Sequence, residues 1–289
     1  MAVLARIVGN VSDPPAGLLG DTSGRDYGSK LQLFSACAEP ELRRAIASLQ
    51  PAPGTRVLDA GCGTGEVLEW LSSSVQPGGV AVGLDLAAAH TLAARRHAGP
   101  AALVLQGDLA HAPFADGQFD LVWCANTIHH LHDPLAGIHA LARLLRSGGR
   151  IAIGQSGLVP EMFFSWDARL ERLVHDAVRA YYRDRYGLDE RQLTAVRAVL
   201  GLLRSAGLAR ITVNTLLIER CSPLRAADER YLVKAIFQGT WAERLGPYLP
   251  PDDFVELSRL CDPGHRDFVL ARSDFHFIQS FTLAVGHAF

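Results

Sequence analysis

The stretch Val57–Glu66, which reads Val-Leu-Asp-Ala-Gly-Cys-Gly-Thr-Gly-Glu, constrains the fold of this chain more than any other. It overlaps a short apolar run, residues 56–60, of the kind that forms a buried strand. Glycines follow at alternate positions, and a helical pattern begins at Glu66. A strand, a glycine turn and a helix start predict a site where a ligand lies against bare backbone, because glycine has no Cβ to hold the ligand away.

Two common ligand loops of this form do not fit the residues that follow. In the dinucleotide fingerprint Gly-x-Gly-x-x-Gly, the last position should be a glycine, but this chain has Glu66 there. A carboxylate at that position would meet the pyrophosphate of the dinucleotide. A phosphate-binding P-loop needs a Gly-Lys-Ser or Gly-Lys-Thr that is not present here. The pattern Asp59-x-Gly61-x-Gly63-x-Gly65 remains, with an ordinary glycine-rich turn as the alternative. It resembles motif I of the class I S-adenosylmethionine (SAM) dependent methyltransferases, where an acid lies two positions before the first glycine.

Composition bounds the class of protein. The length of 289 residues allows one large domain or two ordinary ones, and 48% hydrophobic with 20% charged residues is typical of a globular chain. A net charge of -2 and the lack of a dense basic cluster argue against a nucleic-acid partner. The five cysteines lack Cys-x-x-Cys spacing and indicate reduced thiols. Without an apolar run of about 18 residues or a signal-peptide pattern, the sequence predicts a cytoplasmic protein with no membrane partner.

Strand-like and helix-like segments alternate through the middle of the chain. Strands are predicted near 56–60, 80–84, 102–106, 119–125 and 150–154, with helices near 66–74, 87–97 and 134–146. This order predicts a parallel sheet with helices on both faces and a ligand site at the carboxyl ends of the strands. The resemblance implies an α/β fold, a Rossmann-like, seven-stranded, mostly parallel sheet of the class I methyltransferase type, with helical cap and lid insertions.

The rest of the chain is divided around that core. We predict an irregular N-terminal lid segment (1–36), a SAM-binding core (37–155) that opens with a helix at 39–49, a helical cap (156–209), the last core strands (210–220 and 274–289) and a helical insertion (221–273). The cap is predicted to be helical over 161–186 and 189–206. The insertion departs from the family pattern, in which the last two strands form a close antiparallel pair. We interpret it as part of a lid over the acceptor pocket.

The resemblance implies a donor site at the strand ends. Asp59 matches the acid that holds the ammonium group of SAM, and Asp85 matches a carboxylate that accepts both ribose hydroxyls. Asp108 matches the acid that accepts from the adenine amino group. The other cofactor-binding residues implied are Gly61, Cys62, Gly63, Gly65, Leu86, Gly107, Leu109, Ala125 and Asn126, together with Tyr27 and Lys30 from an N-terminal segment that folds over the donor in many small-molecule members.

Catalytic candidates follow from the chemistry of methyl transfer. An in-line displacement on an activated donor depends mainly on positioning and exclusion of water, and a base is needed only for a protonated nucleophile of high pKa. Candidates are Tyr27, Glu161 at the start of the cap, and His129 or its neighbour His130, for which a structural role is an alternative. Three histidines in residues 129–132 also fit a metal site, but a carboxylate-rich cluster is not evident, so no metal is predicted.

The sequence therefore predicts SAM-dependent methyl transfer to a small-molecule acceptor, which an aromatic compound would suit, in specialised-metabolite biosynthesis. O-, N- and C-methylation stay open. The motif Asn/Asp-Pro-Pro-Tyr/Phe does not follow the fourth strand, which argues against nucleic-acid bases and protein amides. The alternatives are a SAM-binding protein with another reaction, such as a cyclase or other pericyclic catalyst, and a binding or regulatory protein. Aromatic residues in the cap also make a homodimer an expectation.

Overall fold

The computed structural model describes residues 27–131, 133–157, 162–186, 195–241 and 244–289. Most of the predicted lid segment, 1–36, lies outside these ranges, and so does the predicted catalytic residue Glu161. The predicted domain boundaries stay predictions.

One sheet carries the donor motifs. Its strands are β1 (Arg56–Ala60), β2 (Val80–Asp85), β3 (Ala102–Gln106), β4 (Phe119–Ala125), β5 (Leu145–Ser156), β6 (Phe163–Phe164), β7 (Ala209–Cys221) and β8 (His276–His287). The order is β3-β2-β1-β4-β5-β8, and β6 and β7 also pair with β8. Strands β1 to β5 are parallel, and β8 runs antiparallel to its three partners. The predicted Rossmann-like, mostly parallel fold is confirmed, with the two-residue β6 as an addition to seven longer strands.

Helices cover both faces of the sheet. They are α1 (Gly28–Ser48), α2 (Glu66–Ser74), α3 (Ala88–His97), α4 (Pro134–Ala142), α5 (Ala168–Tyr186), α6 (Ala195–Ser205), α7 (Ala226–Arg230), which continues as a π-helix over Tyr231–Trp241, and α8 (Pro251–Cys261). Alternate side chains of β4 point to opposite faces. Leu121 and Trp123 enter the apolar cluster under α1 and α2, and Val122 and Cys124 enter the cluster under α4 and α6.

Helix α1 differs from the predicted element. Residues 28–36, predicted to be irregular, are helical, and Pro40 lies inside the helix instead of in its first turn. An interior proline removes one backbone hydrogen bond. The buried face of the helix, which includes Cys37, Ala38 and Leu42, offsets that loss by packing on the core.

Two further boundaries differ from the prediction. The helix predicted to reach residue 146 ends at Ala142, and β5 already begins at Leu145. Phe163 and Phe164, predicted to be helical, pair with Ile278 and Phe277 of β8. They occupy the side of β8 that β5 leaves free beyond Ser156, so sheet pairing overrides the helical spacing there.

The long insertion lies between two strands that still pair closely. Strands β7 and β8 pair over their whole length, from Ala209 opposite His287 to Cys221 opposite His276. The insertion therefore begins and ends at neighbouring residues of β7 and β8. They lie on the side of the sheet where β5 also ends. None of the described helices combines the length and apolar character that crossing a bilayer requires.

Candidate active site

A cavity of about 410 Å³ opens where β1, β2, β3 and β4 end. Helix α1 and the residue before it form one wall, with Leu31, Phe34 and Tyr27. The predicted residues that line the cavity are Tyr27, Asp59, Gly61, Cys62, Gly63, Asp85, Leu86, Gly107, Asp108, Leu109, Ala125 and Asn126. The structure thus brings the ends of four strands and the start of α1 around one space.

Each glycine of motif I is required because a side chain at its position would contact a different neighbouring residue. At Gly61, with φ of +81°, a Cβ would lie 2.2 Å from Oγ1 of Thr127. At Gly63, with φ of +50°, a Cβ would lie 2.9 Å from Cδ1 of Leu31 on α1. Gly65 is not part of the cavity wall: a Cβ there would lie 2.8 Å from Cα of Ala94, so this glycine allows α2 to approach α3.

Asp59 is a buried carboxyl group whose charge the described residues do not compensate. Its side chain is 2% exposed, and none of the described residues forms a hydrogen bond with Oδ2. Burial, then the charges of Asp85 and Glu66, raise the pKa of Asp59 to about 8. A cationic ligand group in the cavity would supply both a hydrogen-bond donor and a countercharge, which is what the ammonium group of SAM offers.

Asp85 is held by three N–H groups. Oδ2 accepts from the amide of Gly63 at 2.9 Å, and Oδ1 accepts from the amide of Ala87 at 2.9 Å. The third is Nδ1 of His90, 3.2 Å from Oδ1. These contacts fix the carboxylate at the end of β2, next to the glycine turn, where a ribose diol would bind.

Asp108 has a local structural role as well. Its Oδ1 accepts from the amide of Ala110 at 2.9 Å, which caps a short 3₁₀ helix over Leu109–His111. Its Oδ2 lies 2.9 Å from Nδ1 of His111. Asp108 remains partly exposed on the cavity wall, beside Gly107 and Leu109.

The two neighbouring histidines after β4 face different surroundings. His130 lines the cavity, and its ring centroid lies 6.1 Å from that of Tyr27. His129 is not among the lining residues; its Nδ1 donates to Oε1 of Gln155 at 2.9 Å. Burial lowers the pKa of His129 to about 4, against a weaker opposing effect of the Gln155 bond. A catalytic role for His129 stays a prediction, and the geometry favours His130.

Asn126 is fixed by a polar network at the end of β4. Its φ of 51° is unusual for a residue other than glycine. Oδ1 accepts from the amide of Ser156 at 2.7 Å and from Nε2 of Gln155 at 3.2 Å, and Nδ2 donates to Oγ of Ser156 at 3.0 Å. The same Gln155 also bonds to His129, so β5 positions Asn126 on the cavity wall and His129 behind it.

Lys30, which was predicted to bind SAM, is not among the residues that line the cavity. Its Nζ donates to the carbonyl of Gly239 at 2.9 Å, in the π-helix of the insertion. The lysine therefore connects α1 to the insertion. His90, Thr127 and Phe34 line the cavity without having been predicted, because none belongs to a motif and their placement depends on distant parts of the chain.

A possible metal-ligand group among the described residues lies away from this cavity. Glu219, Cys221 and His276 bring ligand atoms within 4.8 Å of one another across β7 and β8. Oε1 of Glu219 and Nε2 of His276 are 2.8 Å apart, and this hydrogen-bonded pair accounts for their approach.

Comparisons with known proteins find relatives of the core that carries this cavity. Residues 58–153 match the model of the methyltransferase domain family. The chain is 40% identical over 126 residues to nocamycin O-methyltransferase of Saccharothrix syringae, across 42% of this chain and 44% of that protein. It is similar in structure to YcgJ of Bacillus subtilis (TM-score 0.56, 18% identity, 86% of this chain and 98% of the other). It is also similar to the cyclase SpnF (TM-score 0.50, 17% identity, 86% and 80%).

The fold, the motif I loop and the matched residues 58–153 identify the core of the chain as a class I SAM-dependent methyltransferase domain. The alignments span less than half the length of the first curated relatives that the chain matches.

Proposed function

We propose that this protein transfers a methyl group from SAM to a small-molecule acceptor in specialised-metabolite biosynthesis. The observation that carries the proposal is Asp59, a buried carboxyl group beside the glycine turn that has an unpartnered oxygen and a pKa raised to about 8 by burial and by neighbouring Asp85 and Glu66. SAM, when bound, supplies a methyl group activated on a sulfonium sulfur. Membership of the family and the name of the Saccharothrix relative support the same reaction class.

The donor would be held by side chains that the fold already orders. Asp59 would hold the ammonium group, Asp85 the ribose diol and Asp108 the adenine amino group. At Gly61 and Gly63 the absence of a Cβ leaves space for the side chains of Thr127 and Leu31, so both of these cavity-lining residues can lie close to the turn. Two of these carboxylates are already oriented by backbone amides, so little ordering is needed on binding.

The acceptor would meet Tyr27 and His130. Both rings line the cavity, 6.1 Å apart, and the second histidine ring, His129, packs 4.0 Å from His130. We assign His130 the role of accepting the acceptor's proton where its pKa requires a base, and Tyr27 the role of positioning the acceptor and excluding water. Phe34 and Trp123 add aromatic surface to the wall, which suits an aromatic acceptor.

An oxygen nucleophile is the acceptor atom that we favour. The Saccharothrix relative is an O-methyltransferase. Histidine is the side chain most often used as a general base, and a phenol or an enol carries an acidic O–H proton that such a base can accept.

Calorimetry with S-adenosylhomocysteine (SAH) tests the donor assignment. The wild-type protein should bind SAH, and Asp85→Ala should lose binding at least a hundredfold. Asp116→Ala is the matched control, because Asp116 is an exposed carboxylate that pairs with Arg143 and is not part of the cavity wall. Absence of SAH binding by the folded wild type would refute the proposal.

A label-transfer assay separates methyl transfer from the alternatives. Radiolabelled methyl-SAM and a panel of phenolic acceptors should give labelled product if the protein is a methyltransferase. SAH binding with product formed from a polyene substrate, but no movement of label, would instead indicate a cyclase of the kind to which this fold is similar. Binding with neither product would indicate a regulatory role.

A further inference from the structure

A single imidazole connects the predicted ribose carboxylate to the start of helix α1. His90 lies in the first turn of α3 and is 7% exposed. Its Nδ1 lies 3.2 Å from Oδ1 of Asp85, and its Nε2 lies 3.1 Å from the backbone nitrogen of Tyr27. These atoms join β2, α3 and α1, although Tyr27 and His90 are 63 positions apart.

The contacts define the tautomer of this histidine. The amide of Tyr27 can only donate, so Nε2 must be the acceptor and carries no proton. The ring proton of a neutral imidazole is then on Nδ1, which donates to Asp85. The two ring nitrogens therefore have separate roles, since Nδ1 orients the carboxylate and Nε2 fixes the residue that precedes α1.

We propose that His90 is a positioning residue that sets the predicted ribose site and the Tyr27 end of α1 relative to each other. The inference rests on the proposed function, because it assigns the ribose to Asp85. Helix α1 and the residue before it contribute Leu31, Phe34 and Tyr27 to the cavity wall, so the placement of the first turn decides where the acceptor-side ring of Tyr27 lies. His90 thereby links donor binding to the geometry of the acceptor side.

Two substitutions separate these two roles. His90→Asn retains a donor near the position of Nδ1 and lacks an atom that reaches the amide of Tyr27. His90→Gln retains an acceptor near the position of Nε2 and lacks the donor at Nδ1. His97→Asn is the matched control, because His97 is an exposed histidine at the end of the same helix.

The experiment measures SAH affinity by calorimetry and hydrogen exchange of the amides of Tyr27 and Leu31, whose hydrogen bonds to His90 and to the carbonyl of Tyr27 the structure shows, in the full chain. His90→Asn should bind SAH within about threefold of wild type, while these amides exchange at least tenfold faster. His90→Gln should keep the slow exchange and bind SAH about tenfold more weakly. His97→Asn should match wild type in both measurements.

Several results would overturn the inference while leaving the proposed function intact. One is SAH binding by the wild type together with wild-type affinity and exchange in both His90 variants. Another is an equal loss of both properties in the two variants, which would indicate a general packing role. Histidine ring ¹⁵N spectra of the wild type add an independent check, since His90 must show the Nδ1–H tautomer. Failure of the wild type to bind SAH would instead refute the proposed function.

Discussion

The amide of Gly63 donates a 2.9 Å hydrogen bond to Oδ2 of Asp85. This bond joins the middle of the glycine turn after β1 to the acid at the end of β2. The two sequence motifs are therefore one structural unit, and a change in the turn should affect the carboxylate that we assign to the ribose.

Gly61→Ala should disrupt the cavity. Its Cβ would lie 2.2 Å from Oγ1, 2.6 Å from Cγ2 and 2.9 Å from Cβ of Thr127. Gly54→Ala is the control, because Gly54 has a similar φ of +84° but no atom within 4 Å of the added Cβ. The free energy of unfolding of the control should fall by about 1–2 kcal/mol, because alanine is strained at a positive φ. Gly61→Ala should lose about 2 kcal/mol more in urea unfolding, as overpacking does elsewhere, and bind SAH at least tenfold more weakly.

Adding Thr127→Ala to Gly61→Ala tests the cause of that loss. This second change removes Oγ1 and Cγ2, the two closest of the clashing atoms. Part of the stability and SAH affinity should return. A double variant as weak as Gly61→Ala would show that backbone strain at position 61, and not the contact with Thr127, is responsible.

SAH binding should depend on pH through Asp59. The pKa of this carboxyl is raised to about 8, by burial first and then by Asp85 and Glu66, so it is largely protonated at pH 6 without a ligand. Holding an ammonium group requires the ionised form, so binding should release about one proton, and affinity should rise up to tenfold per pH unit from pH 6 to 7.5. Calorimetry in buffers of different ionisation enthalpy measures the proton release, and Asp59→Asn should show weak binding without this dependence.

The stability of the ligand-free protein should depend on the same carboxyl. Its folded-state pKa of about 8 lies above the unfolded value of 3.8, so the folded state holds more protons between these two pH values. The free energy of unfolding should therefore fall as pH rises through that window, by up to about 1.4 kcal/mol per pH unit. Chemical unfolding from pH 5 to 8 measures the slope, and a slope unchanged in Asp59→Asn would contradict the assignment.

Among the arginines that the structure describes, removal of Arg220 should lower the free energy of unfolding most. It is 9% exposed, bonds to Glu41 of α1 and Asp228 of α7, and donates to the carbonyl of Cys37. Arg220→Met would leave the buried carboxylate of Glu41 without this partner and should cost about 3–5 kcal/mol. Arg225→Met is the control: Arg225 also bonds Asp228 but is half exposed, so its loss should cost about 1 kcal/mol in urea unfolding.

His130 and His129 should differ in their effect on turnover. If His130 is the base, His130→Asn should lower kcat about a hundredfold with SAH affinity unchanged. His129→Asn should leave kcat and its pH profile near wild type, because His129, with a pKa lowered to about 4 by burial, stays neutral and bonds to Gln155. The measurement is single-turnover methyl transfer to an acceptor from the phenol panel. A loss of turnover confined to the His129 variant would reverse the assignment.

Local sequence patterns were sufficient to predict the core of the fold, but they were insufficient to predict the contacts around the cavity. Asp59 and Asp85 each lie in the last part of a short apolar strand. Because neighbouring parallel strands end at one edge of the sheet, these local patterns are enough to predict that both acids line one cavity. The bond of His90 to Tyr27 joins residues 63 positions apart, and no spacing in the sequence encodes it. Tertiary packing also overrode local signals at α1, where Pro40 indicated a helix start and lies in the interior.

The choice between His129 and His130 shows the same limit at a single residue. Both follow β4 in the sequence, and either could be a base. Gln155 of β5 accepts a hydrogen bond from His129 and fixes that ring, whereas His130 lies on the cavity wall. Gln155 is 26 positions from His129, so the sequence alone cannot separate the two.

The pairing of Cys221 with His276 at the ends of β7 and β8 closes the base of a segment of more than fifty residues. Exchange of residues 222–275 for a segment of different length should therefore leave the register of β7 and β8 in place. It would also remove Asp228, which bonds to Arg220, and Gly239, which accepts a hydrogen bond from Lys30 of α1. Because α1 lines the cavity, such an exchange should weaken SAH binding, and the segment is in this respect a support for the donor side.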